Sequence, residues 1–338
     1  MLKNKNYNTI FNIWLITLQF LIVMIIVVGG LTRLTDSGLS ITQWELFTGL
    51  LPPTTNDSWV TYFNLYKKIP QYSILNNNMT LDEFKIIFLW EYAHRLIARF
   101  IGIFFLIPFL IFIFINYLKK YLIRRLTIIF IMILLQGFIG WYMVKSGLVQ
   151  NISVSHYRLS VHLFIAFSIF SSIFWISLNS LNDTKKKFFQ FNKGNFFLKF
   201  LLFLLFIQII LGAFVSGLDA GKIYQTWPLM NGGYFPDDIL FNNYLNFNKP
   251  SFVQFIHRNI AYVIFFLSIY VGFSIFKKKQ TFLYNNFLFY FLIILVQIML
   301  GILVLVSGVN IYLASMHQIS SIFLIASAIN LYYRSIRS

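Results

Sequence analysis

The sequence predicts an all-α membrane protein of eight transmembrane helices, arranged as two tandem four-helix bundles related by internal duplication. Three observations carry that prediction. Apolar residues make up 58% of the 338 residues, only 11% are charged, and the mean hydropathy is +0.73. Apolar runs of ~20 residues, the length an α-helix needs to cross the hydrocarbon core, recur along the chain. Landmarks of the first half return in the second at slowly falling offsets. The runs lack the alternating pattern of a closed barrel, the other spanning architecture.

The spans are predicted at 12–32, 86–116, 124–144, 158–179, 196–217, 252–276, 283–307 and 312–333. The first follows Lys3 and Lys5, a charged-then-apolar order that a signal peptide shares. Its apolar stretch is long and no small-residue cleavage site follows, so it reads as an uncleaved span. The second is long enough to tilt or to begin outside the hydrocarbon. Lys119, Lys120, Arg124 and Arg125 follow the second span, and Lys185, Lys186, Lys187, Lys193 and Lys199 the fourth. Lys277, Lys278 and Lys279 follow the sixth, and Arg334 and Arg337 close the chain. The first long connection instead carries Asp36, Glu45, Asp57, Asp82 and Glu83. The positive-inside rule then puts both termini in the cytoplasm. The same placement accounts for the net charge of +17 and argues against nucleic acid as a partner. With no Arg- and Ser-rich transit segment, the expected location is a bacterial plasma (inner) membrane, with lipids around a multi-pass chain.

The duplication sets the domain organisation. Gly29, Asp36, Gly38, Trp44 and Pro53 return as Gly212, Asp219, Gly221, Trp227 and Pro236 at an offset of 183. His94-Arg95 returns as His257-Arg258 at 163. Gln136, Gly140, Ser146 and Gly147 return as Gln297, Gly301, Ser307 and Gly308 at 161, and His162 as His317 at 155. Falling offsets mean longer connections in the first half, chiefly Arg33 to Lys85. The halves are expected at 1–180 and 181–338, with the break in the basic segment near 180–195. They run parallel, because four spans return the chain to its starting side.

Four of the five histidines sit in these duplicated positions: His94, His162, His257 and His317. A metal-binding side chain inside a span is costly and points to function. Two pairs on facing helices are what two bis-imidazole hemes require. All four lie early in spans that run inward, so the heme sites are expected toward the outer face. The remaining histidine, His156, has no counterpart and reads as an exposed loop residue. Cysteine is absent, which removes thiolate-ligated and covalently attached heme. Arg95, Arg158 and Arg258 lie beside the histidines at the outer end, where guanidinium groups suit heme propionates. Arg33 and Asp36 are spaced to form a local ion pair.

At these residues the sequence resembles the heme A synthase family, over nearly the whole chain. The resemblance rests on Gly-Gly-Leu-Thr-Arg-Leu-Thr-Asp-Ser-Gly-Leu-Ser at 29–40, Glu-Tyr-Ala-His-Arg at 91–95 and Tyr-Arg-Leu-Ser-Val-His-Leu at 157–163. It extends to Gly-Leu-Asp-Ala-Gly at 217–221, Gln-Thr-Trp-Pro-Leu-Met at 225–230 and Phe-Ile-His-Arg-Asn at 255–259. It implies oxidation of a heme O methyl to a formyl group, giving heme A, by successive hydroxylations with loss of water. It further implies that His94 and His162 attend the substrate heme O in the N-terminal half. His257 and His317 would ligate a resident heme B in the C-terminal half. A heme O synthase and cytochrome oxidase assembly factors are the partners it implies, and a homo-oligomer stays open. Some family members carry a cysteine pair in the first outer loop, so this chain resembles a cysteine-free, proteobacterial-like branch.

One asymmetry in the residues accords with that division. Glu91 precedes His94 by one helical turn, about 4.5 Å along the axis, whereas the matching position before His257 is Gln254. A site that oxidises a substrate has use for a carboxylate, and the family has a glutamate here. Glu91 is therefore expected to be a catalytic or substrate-positioning acid. The structural alternative is a glutamate paired with Arg95 or with an outer-loop base. The alternative function is a di-heme bis-histidine cytochrome that carries electrons without oxidising a methyl group; a transporter is the third class.

Overall fold

The computed structural model describes residues 5–44, 48–150, 153–189, 195–238 and 246–336. Lys3, Glu45, Lys193 and Arg337, used in the charge reading, lie outside them. Among the described residues, eight helices are long and apolar enough to cross a membrane: α1 (Lys5–Leu34), α4 (Leu81–Phe114), α5 (Lys120–Gln150), α6 (His156–Leu181), α7 (Phe196–Gly217), α8 (Pro250–Lys277), α9 (Tyr284–Val306) and α10 (Ile311–Ser335). Two short helices, α2 (Asn56–Tyr66) and α3 (Pro70–Leu75), lie between the first two spans. The protein is an all-α, multi-pass membrane protein.

The chain forms two compact units, Leu2–Ile169 and Phe170–Ser338. The division falls within α6. Trp175, Tyr332 and Tyr333 tie the end of α6 and the segment after it to α10. The Tyr333 hydroxyl donates to the Leu178 carbonyl at 3.0 Å and meets Thr184 Oγ1 at 2.5 Å. The Tyr332 hydroxyl reaches the Phe188 carbonyl at 2.6 Å, and the Trp175 indole N–H reaches the Lys186 carbonyl at 3.1 Å. The first part of the basic segment is thus latched to the end of α10.

In the first unit α1 packs on α4 through an aromatic seam of Phe11, Trp14, Phe105 and Phe112, and the Trp14 indole donates to the Phe104 carbonyl at 3.0 Å. A Thr80/Glu83 capping box starts α4, satisfying two N–H groups the helix cannot pair itself. In the second unit α7 packs on α8 and α9 on α10. Pro250 opens α8, and Asn310 caps α10 by accepting from the Tyr312 and Leu313 N–H groups.

Asp36 after α1 and Asp219 after α7 both adopt the left-handed conformation, at φ 50 and 51. Aspartate and asparagine tolerate that region better than most residues, so each can close its helix. Asp36 also accepts from Arg33 at 2.8 Å, the local pair the spacing suggests, and Lys222 lies 3.2 Å from Asp219.

The stretch read as a long loop from Arg33 to Lys85 is instead a folded cap. A Thr55/Ser58 capping box starts α2 and Pro70 opens α3. Leu39, Ile41, Phe63, Tyr66, Ile69, Phe84, Ile87 and Phe88 form its apolar core. Tyr66, fully buried, donates to Gln71 Oε1 at 3.1 Å and accepts from the Asn76 amide at 2.7 Å. Burial holds its phenol above the ordinary range. His156 also departs from expectation. It is the first residue of α6, half-buried and packed on the Tyr157 ring, because Ser155 accepts the first helical N–H, from Leu159, and starts the helix there.

Candidate functional site

Each of the four span histidines lies against a glycine of another helix in its own unit. A Cβ built on Gly29 of α1 would sit 3.1 Å from His94 Nε2, and one on Gly140 of α5 3.2 Å from His162 Cε1. In the second unit, a Cβ on Gly212 of α7 would sit 3.4 Å from His257 Cε1, and one on Gly301 of α9 3.0 Å from His317 Cε1. The glycines give up a side chain so that a ring can lie against the backbone. Their recurrence at offsets of 183 and 161 has this local cause.

In the first unit the two rings approach each other directly. The His94 and His162 centroids are 6.5 Å apart with planes inclined by 52°. A metal–imidazole nitrogen distance of about 2 Å on each side places facing ring centroids roughly 6 Å apart, so the spacing fits one metal between them. His162 Nδ1 and His257 Nδ1 are buried without a hydrogen-bond partner. The Gln208 amide stands 3.3 Å from His257 Nε2, and the Gln297 amide 3.3 Å from both His317 ring nitrogens. Buried imidazoles seated in pairs against glycines are a donor set that fits heme iron.

Glu91 does not project freely into this space. It is 3% exposed, and Arg95 donates to its Oε1 from Nη2 at 2.6 Å and from Nε at 3.1 Å. Its Oε2 accepts from the Ser40 hydroxyl at 2.8 Å and the Ile41 N–H at 2.9 Å. Arg95 continues to the Ile41 carbonyl at 2.9 Å and the Gln43 carbonyl at 3.3 Å, and lies over the Trp44 ring. The pairing with Arg95 weighed from sequence is therefore present, with the strand of chain at 40–43 as a third party. A cavity of about 220 Å³ opens beside Arg95, lined also by Thr42, Trp44, Trp141 and Lys145.

Gln254 and Arg258 do the corresponding work in the second unit. The Gln254 amide donates to the Tyr224 carbonyl at 2.9 Å. Arg258 donates to the same carbonyl at 3.2 Å and to the Leu229 carbonyl at 3.3 Å. Arg258 Nε is buried without a partner. Arg158 of the first unit contacts Ser146 Oγ and lies 4.7 Å over the Tyr142 ring. All three arginines are at least partly engaged by protein groups.

Sequence reasoning found Gln136 and Gln297 only as repeat landmarks, without a role, and missed Gln208. Gln136 donates to the His162 carbonyl at 3.0 Å, Gln208 to the His257 carbonyl at 3.0 Å, and Gln297 to the His317 carbonyl at 3.1 Å. Each stands four residues before one of the seating glycines, and that spacing was the available signal.

The model of a family described as cytochrome oxidase assembly protein matches residues 12–329. A heme A synthase of Pelagibacter ubique is 51% identical over 338 residues, covering 98% of each chain. A heme A synthase of Rickettsia bellii is 42% identical, covering 94% of this chain and 95% of its own. One of Bradyrhizobium diazoefficiens is also 42% identical, covering 94% and 89%. A match over nearly the full length, on a frame of eight spans and two glycine-seated histidine pairs, makes this chain a member of the heme A synthase family of cytochrome oxidase assembly proteins.

Proposed function

We propose that this chain is a heme A synthase, an oxidoreductase that converts a methyl group of heme O into the formyl group of heme A for terminal oxidase assembly. The observation that carries the reading is the His94–His162 pair at 6.5 Å, in a chain akin to heme A synthases along its whole length. His94 and His162 hold the substrate heme O in the first unit. His257 and His317 hold a resident heme B in the second, which supplies electron transfer when bound. The spare Arg258 N–H supports a propionate contact at that site. Arg95 and Arg158 belong to the rim of the substrate site, where Arg95 bonds the carbonyls of the overlying loop.

Glu91 acts as a positioning residue in this reading. With donors from Arg95, Ser40 and Ile41 on both oxygens, its carboxylate is an anchor for the surrounding chain. It fixes residues 40–43 as a roof beside His94. The basic connections support cytoplasmic termini, with the histidines toward the outer face. A heme O synthase supplies the substrate.

The test is pigment analysis of a heme A-deficient bacterium expressing this chain with a heme O synthase. Extracted hemes are separated by chromatography and identified by mass. Heme A or its hydroxylated precursor is the expected product. Heme B alone, with heme O accumulating unused, would overturn the reading and leave a bis-histidine cytochrome.

A further inference from the structure

Three of the four histidine turns are clamped by a glutamine and one is not. Gln136, Gln208 and Gln297 tie the backbone carbonyls of His162, His257 and His317 to the neighbouring helix. Each clamp shares a helix face with the seating glycine one turn on: Gly140, Gly212 and Gly301. His94 rests on Gly29, and the position one turn before Gly29 is Ile25, which has no donor. α1 does bond α4, from Thr32 Oγ1 to the Trp90 carbonyl at 3.4 Å, but that carbonyl lies a full turn before His94.

Inside a bilayer no water competes for a carbonyl, so an interhelical amide bond restrains the backbone that bears the ring. His162, His257 and His317 can leave a bound metal only by rotating their side chains or by breaking that bond. The His94 turn has no such bond to its carbonyl and is held through Glu91 and Arg95 to residues 40–43, so it can also shift as a unit together with that loop. We infer that His94 is the labile ligand of its pair, so that the coordination position opening for chemistry is on the α1 side. Ile25 is the positioning residue that leaves it labile. The two halves thereby differ in a way suited to their tasks: a fixed pair where a cofactor resides, and one releasable ligand where a substrate is transformed. This inference rests on the proposed ligation of a heme by each histidine pair.

The test uses the purified, heme-loaded protein, reduced and mixed with carbon monoxide, which competes with histidine for ferrous heme. The two pigments are followed by their separate absorption bands. Wild type is expected to take carbon monoxide at the heme O site faster than at the heme B site. Ile25→Gln, which installs a fourth clamp, should slow binding at the heme O site by roughly threefold to tenfold, the range of interhelical membrane hydrogen bonds. Gln208→Leu, in the other unit, should speed binding at the heme B site by a similar factor, so the test stands even if Ile25→Gln fails to accumulate. Unchanged rates in both variants, with both hemes present and low-spin, would overturn the inference. Low-spin signals that survive His94→Ala and His257→Ala would overturn the ligation reading itself, and this inference with it.

Discussion

Arg95 grips Glu91 through two guanidinium N–H groups, at 2.6 and 3.1 Å, one turn apart on α4. The same guanidinium reaches the Ile41 carbonyl, so acid, base and loop form one closed knot. Breaking such a buried pair from one side leaves an uncompensated charge, at a cost of about 3–5 kcal/mol. Arg95→Leu should therefore destabilise the first unit more than Glu91→Gln, which keeps an acceptor for Ser40 and Ile41. Thermal unfolding in detergent measures the order; equal losses would contradict it.

Activity should follow a different order from stability. Glu91→Gln copies the residue found at the equivalent position, Gln254, and should keep the low-spin heme spectrum while lowering heme A output. Full output in membranes would refute a positioning role for the charge. Loss of the spectrum together with output would reduce Glu91 to a fold residue.

The seating glycines differ in the room they leave. A Cβ at Gly301 would meet the His317 ring at 3.0 Å, against 3.4 Å between Gly212 and His257. Gly301→Ala should thus displace its histidine and shift the heme B spectrum, while Gly212→Ala should be nearly silent. Optical and paramagnetic spectra of the two variants check the ranking.

Gly272 provides a purely structural contrast. A Cβ there would lie 2.2 Å from Phe287 Cζ, on a ring buried between α8 and α9. Gly272→Ala should overpack the second unit by about 1–3 kcal/mol. Lower thermal stability with an unshifted His94–His162 spectrum is the expected result.

The cap carries a pH dependence of predictable sign. Burial raises the Tyr66 phenol, and the Asn76 bond only partly offsets this. The neutral phenol is the folded form, so its contribution is intact below about pH 10 and is lost as pH rises through the folded pKa. Tyr66→Phe should be less stable at neutral pH, through loss of the Gln71 and Asn76 bonds, and should show a flatter decline in alkali. Melting temperatures of both proteins across that range decide the matter.

The spans and the four histidines were legible because lipid leaves few alternatives. A span must be long, apolar and helical, and an imidazole inside one must be accounted for. The engagement of Glu91 was not legible. Its partners Ser40 and Ile41 lie about 50 positions away, and only tertiary folding brings them to α4. The helices α2 and α3 were hidden by polar sequence with little periodicity, although Thr55 and Pro70 mark their starts. The glutamine clamps stood between these extremes. Gln136 and Gln297 were found as a repeated pair, but Gln208 belongs to the set by its distance from a glycine, which an offset search does not weigh.

One turn of α4 holds His94, Glu91 and Arg95 together, and through the last two it holds the roof at 40–43. The backbone hydrogen bonds of an α-helix hold one turn together, so imidazole and roof share a single lever. A push on the loop from outside is felt at the imidazole, and withdrawal of the imidazole lifts the loop. In the proposed ligation of a heme by His94, access to the pigment and release of its ligand become one mechanical event rather than two.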